Sequence, residues 1–358
     1  MKVLCLHGRG SSGAIFRSQT SSIRSRLTDL NLTFDFIDGP YPCGPAPGLD
    51  LFYRAPYYSF YADTETETEA SDNKTLNTIH QTQSWLESVT RERGPYDLVL
   101  TFSQGASVAV TALLLHAVEV GNQRRKAGCK SPAQAAAPLP SPEEEQDEPS
   151  GMLRTSDEKD KMPPPPFKSA IFICGGAPHQ LLEEIGYSIS PLTKARDDES
   201  RAVLSSMASS ESILSRGSAR WTGSPLDFSI QNPYPTPLAT PTHNLGLSLS
   251  PFTFEPQPHT HNNTHLDSLS LSFHAEDEIR REIVGSVKVS IPTVHIYGER
   301  DPRYVAGIQL SEVCVKKKRK VYNHGGGHEI PRYEAVSGAI ADLVRWAVWA
   351  AQDEYEGV

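Results

Sequence analysis

The chain has 358 residues, of which 38% are hydrophobic and 28 are proline, with a formal net charge of −9. The acidic balance excludes general nucleic-acid affinity, because phosphate binding needs a basic face. The prolines and the modest hydrophobic share describe a core diluted by unstructured insertions, and no apolar run looks long enough to span a bilayer.

Cys5, Cys43, Cys129, Cys174 and Cys314 show neither CxxC nor His/Cys ligand spacing. They read as free thiols in a reducing, cytoplasmic compartment. The sequons at Asn31, Asn73 and Asn262 then carry no meaning. Met1 to Leu6 is too short, and too soon followed by His7-Gly8, to be a signal peptide. Lys2 to Leu6 reads instead as a buried parallel strand. It runs into His7-Gly8-Arg9-Gly10-Ser11-Ser12-Gly13, a glycine-rich loop. No Walker lysine or complete dinucleotide fingerprint follows, so nucleotide binding loses ground.

Phe16 to about Leu27 reads as a helix, and Thr33 to Asp38 as a second strand. The prolines of Gly39-Pro40-Tyr41-Pro42-Cys43-Gly44-Pro45 exclude helix and central strand. Between Leu51 and Tyr61 lie Phe52, Tyr53, Tyr57, Tyr58, Phe60 and Tyr61. This aromatic loop suits either a pocket wall at the strand ends or ordinary packing. An acidic, threonine-rich bridge, Ala62 to Asp72, leads to an amphipathic helix over Leu76–Arg93, closed by Gly94-Pro95.

Tyr96 to Phe102 is a buried strand, and a helix rich in small residues follows from Gly105 to about Val120. The turn between them carries Ser103 and resembles a nucleophile elbow, with Thr101 where G-x-S-x-G has its first glycine. Residues 121–166 hold a basic run, an alanine-proline tract and Glu143-Glu144-Glu145, and read as a disordered insertion. Ser169 to Cys174 is another buried strand. Residues 187–286 form a second polar insertion, disordered or lid-like, with a short helix expected at about Phe273–Val284. Its His259, His261 and His265 lack partners at metal-ligand spacing. Pro292 to Tyr297 reads as a strand, Val305 to Val315 as a helix, Lys320 to His324 as the last strand, and Glu334 to about Gln352 as a closing amphipathic helix. Six strands alternating with helices predict a doubly wound, mainly parallel α/β sheet.

Ser103, Asp301 and His328 each follow a predicted strand, which gathers them at the carboxyl edge of one sheet. Their order is that of the α/β-hydrolase triad. A serine hydroxyl needs an imidazole to take its proton, and the imidazole needs a carboxylate to fix its tautomer. The backbone N–H groups of Arg9 and Gln104 are the candidates for an oxyanion hole. Glu299 competes with Asp301, and His324 with His328.

With Leu4-Cys5-Leu6-His7-Gly8, Asp38-Gly39-Pro40, Phe102-Ser103-Gln104-Gly105-Ala106, Tyr297-Gly298-Glu299-Arg300-Asp301 and Gly326-Gly327-His328-Glu329-Ile330-Pro331, the chain resembles the fungal serine hydrolases, small α/β-hydrolases similar to the ovarian-cancer-gene-2 type esterases. The resemblance spans about residues 1–120, 167–186 and 287–351 and matches neither insertion. It implies one α/β-hydrolase domain over 1–358 that cleaves a carboxylic ester or thioester without metal or cofactor. Ser103 would be nucleophile, His328 base and Asp301 orienting acid. Several members look like polyketide-pathway thioesterases, which implies a small-molecule ester or acyl-thioester substrate and an acyl carrier protein as a candidate partner, with no membrane or nucleic acid involved. A catalytically silent scaffold that docks partners through its insertions is the competing reading. Lys316-Lys317-Lys318-Arg319-Lys320 reads as a solvated connection, with a nuclear-import signal as the alternative.

Overall fold

A computed structural model describes residues 1–62, 72–126, 163–206 and 276–356. In chain order, β1 is Lys2–Leu6, α1 Gly13–Gln19, α2 Ser21–Arg24 and β2 Thr33–Ile37. A small hairpin, β3 Tyr41–Pro42 and β4 Tyr58–Ser59, precedes α3 Asp72–Arg93, β5 Leu98–Phe102 and α4 Gln104–Lys126. Then come β6 Ser169–Ile173, α5 His179–Glu184, β7 Ser188–Ile189, α6 Pro191–Ser206 and β8 Ile283–Val284. The chain continues with β9 Thr293–Tyr297, α7 Tyr304–Glu312, β10 Arg319–Asn323 and α8 Glu334–Glu356.

The six strands expected from the sequence form one parallel sheet in the order β10-β9-β6-β5-β1-β2. Successive strand side chains point to opposite faces, and each face has its own core. Val3, Cys5, Leu98, Leu100, Ile171, Ile173, Val294 and Ile296 pack with Phe16, Ile23, Ile340 and Val344 of α1, α2 and α8. Leu4, Leu6, Val99, Ala170 and Phe172 pack on the other side with Val108, Leu113 and Leu114 of α4. Burial on both faces explains why the central strands read as continuous apolar runs. Helices on both faces of a six-stranded parallel sheet make this a doubly wound α/β fold.

Several expectations need correction. The helix expected over 16–27 is two helices, because Thr20 ends the first: its N–H and Oγ1 both return to the Phe16 carbonyl. Residues 121–126 continue α4 as helix rather than opening an insertion. Residues 187–206 carry β7 and helix α6, which the sequence did not lead one to expect, whereas the helical turn at 276–281 falls within the short helix expected at about Phe273–Val284, just before β8, the partner of β7. Their order comes from contacts with the body: Tyr187 is buried, and Tyr304 donates to Glu276. Residues 63–71, 127–162 and 207–275, including the His259, His261 and His265 cluster, lie outside the described residues. Finally, α4 is by length and composition apolar enough to cross a membrane, against expectation. Here its apolar side chains are spent on β5, β6 and α3.

Candidate active site

Ser103 sits between β5 and α4 with φ 51°, a left-handed conformation costly for a side-chain-bearing residue. The surroundings impose it. Its N–H donates to the Ile173 carbonyl of β6 (2.9 Å), and the Gly105 N–H donates to His7 (3.1 Å), tying the turn to both neighbouring strands. The chain passes so close that a Cβ at Gly105 would lie 2.4 Å from the Leu6 carbonyl oxygen. Thr101, which departs from the glycine pattern, creates no obstruction. It is fully buried and its Oγ1 donates to the Ile171 carbonyl on β6 (2.9 Å), adding a cross-strand bond just before the turn.

The structure brings Ser103, His328 and Asp301 together. His328 Nε2 lies 2.9 Å from Ser103 Oγ, and its Nδ1 lies 2.9 and 3.0 Å from the two Asp301 oxygens. A carboxylate can only accept, so Nδ1 carries the proton and Nε2 is left as acceptor for the serine hydroxyl. The Asp301 side chain is 1% exposed and that of His328 12%. Water is thus excluded from the carboxylate while the imidazole stays partly open to solvent. The loops carrying the two residues are stitched together: the Arg300 N–H donates to the Gly326 carbonyl (3.0 Å) and its Nε to that of Gly325 (2.9 Å). The Phe102 ring packs against His328 at 5.2 Å.

The rivals fall elsewhere. Glu299 is exposed at the end of β9. His324 is buried with Nδ1 accepting from the Gly326 N–H (3.2 Å) and Nε2 3.9 Å from Cys174 Sγ. Burial pulls its pKa down, so it is a neutral packing group. The ligand atoms of Cys174, Asp301 and His328 converge within 4.8 Å, the one such group among the described residues. Burial and then the Asp301 charge push the Cys174 thiol well up. Within the set, Asp301 and His328 are joined by hydrogen bonds, and Cys174 Sγ lies 3.5 Å from the Glu329 carbonyl.

Gly8 borders the serine, since a Cβ there would lie 3.3 Å from Ser103 Cβ, and Arg9 follows it in the loop. The loop is fixed by His7, whose ring takes the Gly39 N–H on Nε2 (3.0 Å) and gives its Nδ1–H to the Gly8 carbonyl (2.7 Å). Burial lowers the His7 pKa, which keeps that neutral tautomer. Gln104 opens α4, and N–H groups in a first helical turn have no acceptor within the helix. Its side chain accepts from the Phe60 N–H (2.9 Å), tying the aromatic loop to the elbow. That loop divides: Phe60 is buried between His7 and Trp85, while Phe52 is 76% exposed.

Sequence reasoning missed Arg303 and Asp197. The Arg303 N–H donates to Asp301 Oδ1 (2.7 Å), and its guanidinium pairs with Asp197 of α6 (2.6 Å). Asp301-Pro302-Arg303 offered half of that signal. Asp197, within the stretch read as the second insertion, offered none.

The family model described as serine hydrolase (FSH1) matches residues 1–340. Esterase FPY3 of Fusarium mangiferae is 22% identical over 337 residues, covering 93% of this chain and 89% of that protein. Esterase alnB of Emericella nidulans is 25% identical over 355 residues, covering 98% and 95%. Among solved structures, SOBER1 of Arabidopsis thaliana is similar at 12% identity and a TM-score of 0.38, covering 97% of this chain and 99% of that one.

Proposed function

The chain belongs to the FSH1 family and is a serine hydrolase; from that premise we propose that it cleaves a small-molecule carboxylic ester or thioester through an acyl-enzyme on Ser103. The observation that carries the reading is the unbroken array from Ser103 Oγ through His328 to Asp301, with every link at 2.9–3.0 Å. Full-length similarity to proteins named esterases supports the ester class.

In this mechanism His328 Nε2 takes the Ser103 proton as Oγ attacks the substrate carbonyl carbon. Asp301 holds the imidazole in the required tautomer and stabilises the cation that forms. The oxyanion faces the backbone N–H groups of Arg9 and Gln104, each contributing roughly 3–4 kcal/mol to the transition state. The imidazolium returns the proton to the departing alcohol or thiol. Water, deprotonated by the same His328, then attacks the acyl-enzyme, and the acid leaves as Ser103 regains its proton. Release of a finished acyl chain from a carrier thioester in secondary metabolism is the finer form of the proposal, and buried free thiols at Cys5, Cys174 and Cys314 suit a cytoplasmic setting.

The test is a panel of p-nitrophenyl esters of increasing chain length beside acyl-CoA and acyl-carrier thioesters, run on the wild-type chain and Ser103→Ala. Turnover that vanishes in the variant is expected. Ester turnover persisting in Ser103→Ala overturns the mechanism, and failure on every thioester overturns the carrier-release form alone.

A further inference from the structure

Helix α6 belongs to the stretch between β7 and β8 that the sequence left as an insertion, yet a buried ion pair joins it to the loop that holds Asp301. Arg303 Nη1 donates to Asp197 Oδ1 (2.6 Å), to Ser200 Oγ (2.9 Å) and to the Asp197 carbonyl (3.3 Å). The two paired side chains are 9% and 10% exposed. Arg201 Nε binds the other Asp197 oxygen at 2.8 Å. Burial alone would raise the Asp197 pKa, but Arg303 and Arg201 outweigh it and hold the carboxyl below its ordinary range. The guanidinium is also wedged at the end of β6, since a Cβ at Gly176 would lie 3.0 Å from Arg303 Nη2.

The same residue touches the triad from its backbone. The Arg303 N–H gives Asp301 Oδ1 a bond of 2.7 Å, on the oxygen that lies 3.0 Å from His328 Nδ1. Only Pro302 separates the two, and its ring-fixed φ leaves little slack for one to move without the other. The charge arrangement matters as much. Arg303 feels the Asp301 carboxylate as well as Asp197. Removing Asp197 would leave a buried guanidinium without its partner, an arrangement that is strongly unfavourable, and Asp301 is a neighbouring carboxylate toward which it can turn. Every hydrogen bond so gained by Arg303 is taken from the carboxylate that orients His328.

We propose that Arg303 is a positioning residue for Asp301, and that Asp197, reaching it from α6, makes the ordered edge of the insertion a working part of the triad. This rests on the assignment of Ser103, His328 and Asp301 above. It also sets the role of α6: the helix reserves the acid for the histidine by occupying the arginine.

The experiment is Asp197→Asn in the full chain, assayed on p-nitrophenyl acetate, whose two-carbon acyl group keeps the readout on the triad. The expected result is a fall in kcat of about tenfold, with KM within about twofold. The low-field proton resonance of the His328–Asp301 bond should move upfield or broaden, and Asp197→Glu should recover most of the rate. Wild-type kcat and proton resonance with only a lowered Tm would reduce the pair to a structural latch and overturn the proposal. A raised KM at unchanged kcat would make α6 a substrate wall and overturn it equally. Should Asp197→Asn fail to fold, Ser200→Ala removes one guanidinium acceptor at small structural cost; a fall of about two- to threefold in kcat is then expected, and no change overturns the proposal. Ser103→Ala separates the two levels. If it is inactive while Asp197→Asn is normal, only the positioning role fails; if it turns over ester, the underlying assignment fails.

Discussion

Through the body of the sheet, β5, β6 and β9 present buried side chains to both layers, and the helices on either side meet them with Phe, Ile, Leu and Val. Across the seam between α6 and α7 the chemistry is different. Arg303 pairs with Asp197, while Glu282 accepts from Arg196 (2.6 Å) and Gln309 (3.1 Å). A narrow cleft lined by Thr193, Arg196, Asp197, Ser200, Val305 and Gln309 separates the helices. The body is held mainly by apolar area removed from water; the seam is held by directional bonds, which fix where a few atoms sit. Ser103 and His328 stand on turns hydrogen-bonded to the body's strand ends, and Asp301 stands where body and seam meet.

The largest effect that would sharpen this contrast is at the body's edge. His328→Ala should lower kcat on a short ester by about 10⁴-fold or more with little change in unfolding by urea; loss of stability in place of activity would move His328 from the chemistry to the packing. Within the body, Gly105→Ala should destabilise the chain by about 1–3 kcal/mol in urea unfolding, because its Cβ would meet the Leu6 carbonyl oxygen at 2.4 Å. An unchanged midpoint would contradict the close apposition of β1 and the elbow.

His295 tests the body in another way. It is buried against Phe172, with Nε2 3.0 Å from Thr293 Oγ1, and burial lowers its pKa from 6.5 to about 3. Between those values the unfolded chain binds a proton that the folded chain refuses. Stability from this group is therefore complete above about pH 6.5 and declines as pH falls toward 3, by up to roughly 1.4 kcal/mol per pH unit. His295→Leu should flatten that part of a pH–stability profile; a profile parallel to wild type would show that His295 does not titrate differently on unfolding. Smallest of all, Glu282→Gln should change global stability by less than about 1 kcal/mol while amide protection across 191–206 drops in hydrogen exchange. Protection that stays level would show that α6 does not depend on its ionic seam.

The sheet was readable because strands buried on both faces are apolar at nearly every position, as Val3 to Leu6 and Leu98 to Leu100 are. The site was readable because its three residue types each stand in the loop after a parallel strand. Glu299 and Asp301 are indistinguishable in that reading, as both are acids past β9; only the fold buries one and exposes the other. Thr101 looked like a defect because the pattern names a small residue, whereas the close approach falls at Gly105 and the threonine hydroxyl has a carbonyl to bond. Helix α6 was out of reach for a different reason. Its residues are polar, and their order comes from partners, Glu282 and Arg303, that lie 86 and 106 positions away and adjoin it only once the sheet has formed.

The central claim is that Ser103 is the nucleophile, and the direct measurement is reaction of the folded chain with a fluorophosphonate followed by peptide mass analysis. One phosphonyl adduct on the peptide carrying Ser103, absent from Ser103→Ala and strongly slowed in His328→Ala, is the result predicted. A folded chain that takes no label, or a Ser103→Ala variant labelled as fast as wild type, would contradict it.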